Sequence, residues 1–155
     1  MRVPEEAASY TAPASTKELD ALAERLRERN FEALIVETAA EARQAVLDRI
    51  PDGVTIHSGK SKTLDDLGIS QVLMDSDRYD FLRKRIYKMD RQTQAREIRQ
   101  LGSAPDLMLG SVNAITKEGQ LVASSATGSQ LGPFASGAGQ LILVVGSQKN
   151  RERSG

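Results

Sequence analysis

The 155-residue sequence contains no cysteine and no tryptophan, and His57 is its only histidine. Without cysteine there is no disulfide framework, no thiolate nucleophile and no iron–sulfur ligand on this chain. One imidazole without a set of carboxylates beside it cannot make a zinc site, so neither a metal nor a cofactor is expected. An excess of one charge is also missing. The 21 basic and 21 acidic residues cancel, which gives no reason to expect nucleic acid or a membrane surface as the partner. No apolar run approaches the roughly 18 residues of a membrane span, and residues 1–14 lack the apolar core of a signal peptide. The expected location is the cytoplasm. Gly59-Lys60-Ser61 invites a phosphate-loop reading, but the spacing requires glycine at position 54, where Val54 stands, so ordinary P-loop chemistry is excluded.

What is present reads as alternating strands and helices. The length fits one domain. Residues 1–14, with two prolines and several alanines, are expected to be a disordered leader, 15–149 a single α/β domain, and 150–155 a C-terminal tail. Ser15-Thr16-Lys17-Glu18 and Thr38-Ala39-Ala40-Glu41 are capping boxes. Each predicts a helix, the first ending near Asn30 and the second at Pro51-Asp52-Gly53. Phe31–Val36 and Val54–His57 read as strands, and Val72–Met74 as a third, short one. Helices are expected over Asp77–Met89 and over Arg91–Leu101, the latter capped by Asp90 and broken by Gly102. Strand–helix–strand alternation predicts a mostly parallel sheet with helices on both faces.

The stretch from Asp106 to Gly146 organises the chain. Leu107–Leu109 and Val112–Ile115 form a nearly continuous apolar run, expected as one buried strand. Thr116-Lys117-Glu118-Gly119 predicts a turn into Leu121-Val122, with Gly119 suited to a positive φ. Residues 124–139 are mostly small, with Leu131 and Phe134 as the only large apolar anchors, and Leu141–Val145 reads as a second buried strand. Two core strands bracketing a backbone-rich loop suit a ligand crevice.

Three groups of residues are candidates for it. Gly59, Ser61 and Thr63 follow a strand and lead into a helix, where amides and hydroxyls suit a phosphate or carboxylate; equally, Ser61 or Thr63 caps that helix. Asn113 and Thr116 sit in an apolar strand, where a polar side chain needs either a backbone partner or a ligand. Thr127, Gly128, Ser129 and Gln130 line the crevice or form a compact turn, and Lys149 places a cation past the last strand. The basic residues of 78–88 form either an anion-binding patch or a solvated helix face. His57 has no serine–aspartate or cysteine partner in sequence to argue for catalysis.

Gly110-Ser111-Val112-Asn113-Ala114-Ile115-Thr116, Gly119, Ala126-Thr127-Gly128-Ser129-Gln130-Leu131, Gly137-Ala138 and Val144-Val145-Gly146-Ser147-Gln148-Lys149 resemble the signature of the LUD (lactate-utilisation) domain family. Ser61-x-Thr63-Leu64-x-x-x-Gly68 is similar to that family's helix start. The resemblance covers roughly Phe31 to Lys149 and extends to the lactate utilisation protein C-like proteins. It implies a NagB/RpiA/CoA-transferase-like fold, a three-layer α/β sandwich with a mostly parallel sheet, and favours Thr127–Gln130 as crevice lining. It also implies a part in oxidising lactate to pyruvate, as an accessory or ligand-binding component for a small anionic ligand, beside iron–sulfur protein partners. The alternatives are an isomerase-like or acyl-transferring enzyme on a phosphorylated or CoA-linked substrate, or an inactive paralogue. Glu118 precedes Gly119 in a turn, and nothing marks it as the nucleophilic glutamate of the CoA-transferases. After Gln148-Lys149 the sequence departs from the family pattern, so the family's C-terminal helical segment is expected to be missing.

Overall fold

A computed structural model describes residues 12–151; most of the expected leader and the last four positions lie outside the described residues. In chain order the elements are α1 (Thr16–Arg27), α2 (Ala39–Leu47), β1 (Thr55–Ser58), α3 (Lys62–Asp66), α4 (Ile69–Asp75), β2 (Asp80–Phe81), α5 (Leu82–Ile86), α6 (Ala95–Ser103), β3 (Leu107–Gly110), β4 (Ala114–Thr116), β5 (Leu121–Val122), a π-helical turn (Pro133–Gly137), β6 (Gln140–Leu143), a 3-10 turn (Ser147–Lys149) and β7 (Asn150–Arg151). They form two compact units. The first draws on the described parts of Met1–Glu37, Val112–Ser124 and Val145–Gly155, the second on Thr38–Ser111 and Ser125–Val144.

The second unit holds a four-stranded sheet in the order β2-β1-β3-β6, with every pairing parallel. The Thr38 capping box starts α2 as expected: the Thr38 hydroxyl accepts from the Glu41 amide, and the Glu41 carboxylate accepts from the Thr38 amide. On one face of the sheet, Ile56, Leu107 and Leu109 pack with Val46 and Ile50, with Leu64, Ile69 and Leu73, and with Tyr79 and Phe81. His57 alternates with Ile56 along β1 and so points to the opposite face. There Gly102 of α6 leaves room for its ring: a Cβ at 102 would lie 3.2 Å from Nε2. Helices on both faces make the α/β three-layer arrangement expected from the sequence. At the N-terminal edge, Asp106 accepts from the Thr55 amide (2.9 Å) and hydroxyl (2.6 Å) and returns its own amide to that hydroxyl (2.9 Å). This reciprocal latch sets the register of β1 against β3, and the Thr55 bonds hold the Asp106 carboxyl below the usual carboxylate range.

The first unit contains α1 and a three-stranded sheet in the order β5-β4-β7. Ser15 caps α1 through its full capping box. The helix ends in a Schellman arrangement, with Asn30 at φ 64° and the Phe31 and Asn30 amides bonded to the Leu26 and Arg27 carbonyls, both at 3.0 Å. Gly119 takes φ 79° in the β4–β5 turn, as expected. Leu22, Ala23, Val112 and Ile115 are the buried apolar residues described here.

Several expectations need correction. Phe31–Val36 forms no strand; Phe31, Leu34 and Val36 stay exposed, and a strand exists only where a neighbour completes its ladder. Val72–Met74 belongs to helix α4, because Gly68 at φ 68° ends α3 and at once starts a new helix that buries Ile69 and Leu73 four residues apart. The expected helix over 77–89 begins late, after Asp80–Phe81 has joined β1 as β2. Asp90 does not cap α6: its carboxylate closes a turn on the Gln92 amide and the Thr93 hydroxyl, and Gly102 lies inside the helix. The apolar run 107–115 is two strands, β3 and β4, belonging to different sheets and different units. β6 is half-buried rather than buried, as befits the edge of the sheet. Leu131 is 44% exposed rather than a buried anchor.

Candidate functional site

Along the chain, the four parallel strands are laid down in the spatial order second, first, third, fourth. The direction of winding therefore reverses between β1 and β3, and open α/β sheets bind ligands outside the carboxyl ends of the strands at such a reversal. Here those ends are Ser58-Gly59 and Gly110-Ser111. The first and third candidate groups meet at this edge. Thr63 Oγ1 lies 3.4 Å from Ser111 Oγ, linking the helix after β1 to the end of β3. Gln130 lays its side chain against Gly59, so closely that a Cβ at 59 would collide with the carboxamide. Gly59 is thus the residue whose missing side chain lets Gln130 approach. Ser61 Oγ accepts from the Leu64 amide (3.4 Å) and caps α3. Gly128 takes φ 70°, and the Thr127 and Ser129 hydroxyls are 3.0 Å apart on the exposed turn beside it. Phe134 packs over the end of β3, where only glycine at 110 leaves room for its ring.

Asn113, Thr116 and Lys149 belong to the first unit. Asn113 is exposed, and its Oδ1 accepts from the Ser124 amide at 2.7 Å. Thr116 is buried, and its hydroxyl accepts from the Gln120 amide at 3.1 Å, closing the β4–β5 turn. Lys149 ends the 3-10 turn, its amide bonded to the Gly146 carbonyl, and partial burial lowers its ammonium pKa.

Two side chains given little weight in sequence are conspicuous at the C-terminal end of β1. His57 is buried with Nδ1 lacking any hydrogen-bond partner. Burial first, and the nearby Arg83 charge second, push its pKa below the ordinary imidazole value, so the ring is neutral near pH 7. Arg83 places Nη1 3.5 Å from the hydroxyl of Ser58, the last residue of β1 and itself almost wholly buried. Its guanidinium stands 5.1 Å over the Tyr87 ring and also donates to the Tyr87 hydroxyl. Lys62, at the start of α3, is committed to Asp66 through contacts of 2.7 and 2.8 Å. Among the described residues no group of three or more His, Asp or Glu side chains is gathered as a metal site, and no helix is long and apolar enough to cross a membrane.

A family model described as LUD domain matches residues 19–151, well over half of the chain. No curated protein matches the sequence.

Proposed function

The chain belongs to the LUD domain family, linked to lactate utilisation, and from that premise we propose that it is an accessory, ligand-binding component in the oxidation of lactate to pyruvate. Its ligand is a small anion, held outside the C-terminal ends of β1 and β3. Its partners are proteins that carry the iron–sulfur clusters which a cysteine-free chain cannot ligate. The observation that supports this most is the convergence of Gly59, Thr63, Ser111 and Gln130 at the winding reversal. Hydrogen bonds to a charged ligand contribute about 1.5–3 kcal/mol each. Two of them bring affinity to the millimolar range, where 1 mM corresponds to about −4.1 kcal/mol.

The test is calorimetric titration with sodium L-lactate, pyruvate and inorganic phosphate. The wild-type chain is expected to bind at least one of these, and the Ser61→Ala, Thr63→Ala double variant to lose that binding. Because Ser61 caps α3, the double variant is less stable on its own, so its titration is read at a temperature where circular dichroism shows it folded. Unchanged binding in the double variant removes the ligand from this edge. Turnover of a sugar phosphate or an acyl-CoA by the purified chain would replace the accessory role with an enzymatic one.

A further inference from the structure

The geometry points to Arg83 as the fixed positive charge of this site, which makes its ligand an oxyanion, carboxylate or phosphate, gripped by the guanidinium. The inference rests on the ligand-binding edge proposed above. Its ground is a contrast within one basic cluster. Arg78 is paired with Asp52 at 2.7 Å, Arg85 with Asp80 at 2.9 Å and Lys84 with Asp77 at 3.8 Å. Lys62, on the loop side of the edge, is paired with Asp66. Arg83, Lys88 and Lys60 have no carboxylate partner among the described residues, and of the three only Arg83 has its side chain held, by the neutral groups Ser58 and Tyr87. Its charge is therefore held but not neutralised.

A guanidinium carries five donors in a planar fork, and these two hydroxyls leave most of them free. Stacking on Tyr87, one helical turn further on, fixes the plane before any ligand arrives, so less side-chain freedom is lost on binding. The anchor at Ser58 puts the fork at the carboxyl end of a central strand, where the sheet's winding reverses. The field of Arg83 at His57 is a second sign that this charge acts on the strand end rather than on open solvent. Planar, bidentate recognition of carboxylate or phosphate is the chemistry for which such an arginine is suited.

Isothermal titration of the full chain tests this, with sodium L-lactate, its neutral amide lactamide, and inorganic phosphate as probes. The wild-type chain is expected to prefer lactate over lactamide by about tenfold or more, a charge-assisted bond's worth. Arg83→Met should abolish that preference, Arg83→Lys should restore part of it, and Arg85→Met, which removes an already paired charge, should leave it unchanged. The relative affinities of lactate and phosphate identify which oxyanion the edge takes. If Arg83→Met does not fold by circular dichroism, Arg83→Gln carries the same comparison. A folded Arg83 variant that keeps the full preference, or an equal loss in Arg85→Met, overturns the inference. If Ser61→Ala, Thr63→Ala loses anion binding while Arg83→Met keeps it, the edge stands and the arginine falls. If Arg83→Met loses binding while the double variant keeps it, the arginine stands and the loop falls. Binding of neither anion by the wild-type chain overturns both.

Discussion

The two units are stabilised by different means. The second buries an apolar layer, with Ile56, Leu64, Ile69, Leu73, Phe81, Leu107 and Leu109 essentially free of solvent contact. The first buries little and leaves Phe31, Leu34, Val36 and Val122 exposed. Its order comes instead from bonds at chain reversals: the Ser15 cap, the Schellman end at Asn30, Thr116 closing on Gln120, and Asn113 on Ser124. Arg25 adds a bond to the Lys117 carbonyl, and Glu18 an ion pair to the Lys117 ammonium at 3.3 Å. Burial scales with area and tolerates no cavity, whereas turn bonds are individually modest and separable. The unit that carries the winding reversal is accordingly the one with the larger buried apolar layer.

Substitutions that remove one kind of support at a time would break or sharpen that contrast. The largest effect is expected from Phe81→Ala, which empties a site in the apolar layer and should cost about 3–5 kcal/mol in urea unfolding. Leu22→Ala in the first unit should cost about 2 kcal/mol, the lower end for leucine, because fewer neighbours surround the void. Equal costs would erase the distinction drawn here. Ser15→Ala should cost about 1 kcal/mol through the lost cap, read as reduced helicity and an earlier melting midpoint. The smallest effect is a pH dependence belonging to the second unit. The folded-state pKa of His57 is lowered, by burial first and by Arg83 second. The unfolded chain therefore takes up a proton that the folded chain refuses. This stability is present above roughly pH 6.5 and is lost as pH falls below that value. His57→Gln should flatten the melting profile between pH 7 and 5, and an unflattened profile would assign the acid sensitivity elsewhere.

How much of this was legible in sequence follows from the range of each interaction. The caps at Ser15 and Thr38 and the glycine turn at 119 are decided within four residues and were readable; the third cap was readable only as Ser61 or Thr63, and the structure has Ser61. The split of 107–115 into strands of two sheets was not, because an apolar run carries no label for its ladder partner. Phe31–Val36 has strand composition but no ladder. At the site, Gly59, Ser61 and Thr63 were singled out for the loop they form. That Gln130 would lie on Gly59 depends on tertiary packing across 71 positions of chain. Arg83 could not be told from its basic neighbours, since only the fold decides which of them finds an aspartate.

Neither unit is a continuous piece of chain: the boundary is crossed after Glu37, Ser111, Ser124 and Val144. During synthesis this sets an order of events. The second unit has all its parallel strands once residue 143 has been synthesised. The first includes α1, yet its β4 must wait for β7, formed by Asn150–Arg151, before its ladder is complete. At about 5–20 residues per second, α1 is synthesised on the order of ten seconds before β7 is made. A premature stop between positions 144 and 149 would therefore leave all four parallel strands of the second unit present while depriving β4 of its β7 partner.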